Sequence, residues 1–130
     1  MQPEVVLIST YELGRKPFGL ASPAAWLRRA GASVTCLDLS RDKLREEPVE
    51  RADLVAFYLP MHTATRMAAR VVPTVQRLNP RAHLCFYGLY APLNADYLRA
   101  LGAKTILGGE FEEGLVRLLE RLRAGGDPEP

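Results

Sequence analysis

Five short apolar runs constrain this chain more than any other feature. They are VVLIST (5–10), SVTCLDL (33–39), DLVAFYL (53–59), AHLCFYG (82–88) and AKTILG (103–108). Each is rich in β-branched or aromatic residues and continuous rather than alternating, as strands covered on both faces are. Segments with helix signals separate them. SPAAWLRRAG carries Ser22 as an N-cap, Pro23 at the first helical position and Gly31 as a stop. TATRMAARVVPTVQRLNP reads as a longer helix that Pro73 should kink or break. LNADYLRALG stops at Gly102, and FEEGLVRLLERLRAGG at Gly125 and Gly126. The second connection, SRDKLREEPVERA, is the weakest and reads as one helical turn followed by a loop.

Strict alternation of strand and helix predicts an α/β fold: a parallel sheet with right-handed crossovers and helices on both faces. Five strands suit the Rossmann-like, flavodoxin-like order 2-1-3-4-5. The 130 residues are enough for one domain with a real core. Residues 1–124 form that domain in this reading. Residues 125–130 have neither helix nor strand propensity and read as a flexible tail or linker stub.

Composition excludes several function classes. A net charge of +2, with 14 arginines and 3 lysines scattered along the chain, gives no warrant for nucleic-acid or anionic-membrane binding. No apolar stretch approaches the roughly 20 residues of a membrane span. The chain starts almost directly on a strand with no visible signal peptide, so a cytoplasmic location is expected. Cys36 and Cys85 fall in strands without zinc-type spacing and read as buried, reduced thiols. Trp26 reads as a core residue and His83 as structural.

Ligands of such sheets bind beyond the carboxyl ends of the strands. The relevant loops are TYELGRKPFGL, PMHTAT, GLYAPLN and GGEFEEG. None holds GxxxxGK[ST] or GxGxxG, so nucleoside triphosphates and dinucleotides lose their usual warrant. Strands one and three end on Ser9-Thr10 and Leu59-Pro60, without the aspartates of a phospho-acceptor domain. What remains is apolar: Tyr11, Phe18, Leu59, Met61, Leu89, Tyr90, Pro92 and Phe111 all fall on this edge. A wide, mostly apolar ligand or a partner would cover them. Arg15 and Lys16, at the tip of the first loop, read as solvated.

The segment GLYAPLNADYLRALGAKTILGGEFEEGLVRLLERL resembles the second half of the cobalamin-binding domain that precedes radical SAM catalytic domains. Gly88 stands at that family's first glycine and Pro92 near its proline. Gly109-Glu110-Phe111-Glu112 replaces Gly-Glu-Gly-Glu, with Phe111 in place of the second glycine. ADLVAFYLPMHTAT resembles the family's third strand and turn. STYELGRKPFGLASPAAWLRRAGASVTCLDL resembles its opening strand, long loop, helix and second strand. The likeness runs from residue 4 to about residue 122.

The resemblance implies a corrin ring across the carboxyl edge, with its nucleotide tail running beside strands one, three and five. Thr10, Thr63, Gly108 and Gly109 would line the tail. Tyr11, Glu12, Leu13, Phe18 and Leu20 would cover one face of the ring. Gly88, Leu89, Tyr90 and Ala91 would meet its amide edge, with Leu59, Met61, Glu110 and Phe111 on the same rim. His62 is a candidate contact to cobalt or corrin, although a polar residue opening a helix is the commoner role. The first loop lacks the Asp-x-His-x-x-Gly of cobalamin-dependent mutases, and the chain lacks the Cys-x3-Cys-x2-Cys cluster of radical SAM enzymes. The implied partner is a radical SAM catalytic domain, in cis beyond the GGDPEP stretch or in trans. A flavodoxin-like mononucleotide or flavin carrier, and a cofactor-free docking domain, are the alternatives.

Overall fold

The computed structural model describes residues 2–11 and 18–125, Phe18 by its backbone alone. The elements are β1 (Glu4–Ser9), α1 (Phe18–Arg29), β2 (Ser33–Asp38), α2 (Glu46–Arg51), β3 (Leu54–Tyr58), α3 (His62–Leu78), β4 (His83–Tyr87), a 3-10 turn (Pro92–Asn94), α4 (Ala95–Leu101), β5 (Thr105–Leu107) and α5 (Phe111–Arg123). All strand pairs are parallel and the sheet order is β2-β1-β3-β4-β5. This is the flavodoxin-like arrangement expected from the alternating pattern.

Strand periodicity sorts the core into two layers. Val6, Ile8, Val55, Phe57, Leu84 and Phe86 face α2, α3 and α4. Val5, Leu7, Leu54, Ala56, Cys85 and Tyr87 face α1 and α5. The Phe57 and Phe86 rings stack with centroids 5.3 Å apart. Such a pair adds about 1 kcal/mol beyond the area it buries.

Several local expectations are corrected. Helix α1 begins at Phe18, a full turn before Ser22, so Pro23 lies inside it and Ser22 does not cap it. The second connection runs in the reverse order, with a turn and loop first and α2 last. Helix α3 passes through Pro73 unbroken. The proline is on its exposed side, and 17 residues of helix absorb one missing backbone bond. Trp26 is 41% exposed because the inward stripe of α1 is Leu20, Ala24 and Leu27. The Arg29 guanidinium lies 5.6 Å from its ring centroid. Cys85 is buried, but Cys36 is exposed on the edge strand β2.

The amino end of the sheet is closed by polar contacts. The Glu4 N–H donates to Asp53 Oδ2 at 2.8 Å, and the Asp53 N–H returns a bond to the Glu4 carbonyl. His83 Nε2 and Thr105 Oγ1 are 2.7 Å apart, both residues buried. The Asn79 side-chain amide nitrogen lies 2.9, 3.2 and 2.8 Å from the carbonyls of Val49, Glu50 and Ala52. Its oxygen accepts from the N–H groups of Arg81 and Ala82.

Candidate functional site

At the carboxyl end the strand pairing continues one step past the strands. The Leu59 N–H donates to the Tyr87 carbonyl, Gly88 to Leu107, and Tyr90 back to Leu59. Gly88 takes φ +116°, and a Cβ there would lie 2.9 Å from the Leu59 carbonyl oxygen. The turn after β4 therefore requires glycine on both counts. Gly108 packs against Pro92, and Gly109 has φ +55° with open space beside it.

The proposed ligand residues divide by depth. Leu89 stands out at 70% exposure, followed by Leu93 at 74% and Tyr97 at 51% on the neighbouring turn and α4. His62, Thr63, Gly109 and Glu110 are exposed, and Tyr11, Met61, Tyr90 and Gly108 are half-buried. Thr10, Leu59, Gly88 and Ala91 are buried beneath the rim. The Thr10 hydroxyl donates to the Ala64 carbonyl at 2.9 Å and so ties β1 to the first turn of α3. Leu20 belongs to the core layer under α1. Glu12, Leu13 and the Phe18 side chain lie outside the described residues. An open groove of about 530 Å³ between α3 and α4 is lined by His62, Thr65, Arg66, Asn94 and Tyr97.

Strand register places Asp38, Ser9, Tyr58, Tyr87 and Leu107 in one lateral row, on the face covered by α1 and α5. Phe111, the first residue of α5, closes on this row. Its ring centroid is 4.8 Å from that of Tyr87 and 5.9 Å from that of Tyr58, and the two tyrosines are 5.5 Å apart. The first turn of α1 seals the other side. A Cβ on Gly19 would come within 2.2 Å of the Tyr58 ring. Pro23 has no N–H to offer the carbonyl four residues back, which is that of Gly19. The Tyr87 hydroxyl donates to that carbonyl at 2.7 Å. Ser22 donates to Glu112 Oε2 at 2.8 Å and links the starts of α1 and α5. Burial holds the Tyr87 hydroxyl well above its ordinary pKa, and Cys85, Cys36, Tyr58 and Glu112 add to the shift.

Ser9 was not among the residues expected at the site. Its buried hydroxyl has no hydrogen-bond partner among the described residues. A polar residue ending an otherwise apolar strand was the available signal, since buried polar atoms are normally paired. Among the described residues no group of three or more His, Cys, Asp or Glu side chains could hold a metal ion. No helix among them is long and apolar enough to cross a membrane.

No family profile matches the chain, and no curated protein matches it. A crystal structure of a response regulator protein from Burkholderia pseudomallei, with a phosphorylated aspartic acid, calcium ion and citrate, is similar in fold. The two share 14% identity with a TM-score of 0.59, and the match covers 95% of this chain and 74% of that one. At this identity the likeness concerns the fold. Here β1 and β3 end on Ser9 and Tyr58, neither of which is an aspartate.

Proposed function

We propose that this chain is a cobalamin-binding module, holding a corrin ring for a methyl transfer or rearrangement performed by a radical SAM catalytic domain outside it. The observation that carries this reading is the exposed apolar rim at the carboxyl end of the sheet, where Leu89 is 70% exposed. Ligands of parallel α/β sheets occupy that end. The whole-length sequence likeness supplies the ligand class.

In this reading a flat macrocycle rests on the rim. Leu89, Tyr90, Met61 and Tyr11 would supply apolar area, and exposed Gly109 and Glu110 would meet a polar fringe. Bound cobalamin supplies a cobalt centre able to carry a methyl group. The chain's own residues bind and orient, and the catalytic cluster comes from the partner.

Purified protein mixed with hydroxocobalamin and passed through gel filtration should keep the corrin absorption band. A colourless protein peak would end this reading. One observation favours a second reading, a cofactor-free docking domain: Leu59, Ala91 and the Tyr58–Tyr87–Phe111 cluster leave the layers beneath the rim filled. In that case the protein stays colourless, and Leu89, Leu93 and Tyr97 become protected only in a protein complex.

A further inference from the structure

We infer that Phe111 makes the site blind to the nucleotide tail of its ligand: the protein holds a corrin by the rim alone and leaves the tail in solvent. This rests on the cobalamin reading above and specifies how that same site selects its ligand.

A tail buried beside the strands needs a slot between the sheet and one of its helical layers. Among the described residues, both layers are closed over the carboxyl ends of β1, β3 and β4, and the open space that remains lies to either side, between α1 and the edge strand β2 and between α3 and α4. On the α3 side, Thr10, Leu59, Ala64 and Ala91 are buried, and the Thr10–Ala64 bond pins strand to helix. On the α1/α5 side the Tyr58, Tyr87 and Phe111 rings fill the space, with centroids 4.8 to 5.9 Å apart. Tyr58 already presses on Gly19, where even a methyl group would meet its ring. The Tyr87 hydroxyl is committed to the Gly19 carbonyl, so its ring cannot swing away without orphaning a buried acceptor. Phe111 has no polar side-chain atom to tie its ring in place, and it enters from the first position of α5. It is the residue whose side chain decides whether the slot exists.

The test compares hydroxocobalamin with hydroxocobinamide, the same corrin without its nucleotide, by absorbance titration of the intact chain. The wild-type protein should bind both with dissociation constants within about threefold of each other. Phe111→Gly, which removes the ring, should shift the preference toward the tailed form by about tenfold or more. A preference of tenfold or more for cobalamin in the wild-type protein overturns the inference while leaving the cobalamin reading intact. Equal affinities in both proteins overturn the assignment to Phe111. Binding of neither corrinoid removes the cobalamin reading and this inference with it. The wild-type comparison stands on its own should Phe111→Gly fail to fold.

Discussion

The two ends of the sheet solve opposite problems. At the amino end, polar groups close on one another: Glu4 with Asp53, His83 with Thr105, and Asn79 with five backbone groups. At the carboxyl end, aliphatic and aromatic side chains sit at or just below the surface, around a glycine that no other residue could replace without strain. At the first end these polar groups are engaged with one another. The second has unused apolar surface and open space beside Gly109. On the function proposed above, stability and recognition are separated along the strand direction, and substitutions should separate in the same way.

The largest effect is expected at the amino end. Asn79→Ala strips donors and acceptors from the junction of α2, β3 and β4, and should lower unfolding free energy by about 3 kcal/mol. Chemical denaturation measures this, and corrinoid binding per folded molecule should be unchanged. Next comes Tyr87→Phe, which keeps the ring but leaves the Gly19 carbonyl buried without a donor, at a cost of about 2 kcal/mol. A loss near zero would mean that α1 rearranges to serve that carbonyl itself.

Leu89→Ser should do the reverse of Asn79→Ala. At 70% exposure it should change stability by less than about 0.5 kcal/mol. Under the cobalamin reading its corrinoid affinity should drop by about fivefold, from apolar area no longer covered. Equal damage to stability from Leu89→Ser and Asn79→Ala would erase the distinction between the ends. The smallest effect is chemical. In the native protein Cys36 should react with a thiol reagent and Cys85 should not, while both react after denaturation. Although the residue is exposed, partial burial of its sulfur beside the Leu20 carbonyl raises the Cys36 thiol pKa against the lowering effect of Arg28, so its labelling should be slow near neutral pH and accelerate as pH rises.

The strands were legible because both-face burial leaves a continuous apolar run, and all five runs became strands. Helix starts were less legible. Ser22-Pro23 carries a strong local start signal, yet α1 begins earlier because Tyr87, distant in sequence, serves the carbonyl that the proline abandons. Trp26 misled because bulk was read as burial, whereas helical phase places it outside the Leu20–Ala24–Leu27 stripe. The rim could be located from strand ends alone. Its depth could not: Leu59 and Leu89 look alike in sequence, but one continues the sheet pairing and is buried while the other leaves it and stands in solvent. The row from Asp38 to Leu107 depends on register, which no single segment encodes.

The proline inside α1 also has a bearing on how the chain assembles. The acceptor it leaves vacant is served from 68 residues further along, by a side chain at the end of the fourth strand. The opening turn of the first helix thus cannot complete its bonding until most of the polypeptide has been laid down. The segment made among the earliest should be among the last to become rigid, so the mouth of the site sets only when the body of the domain is already in place.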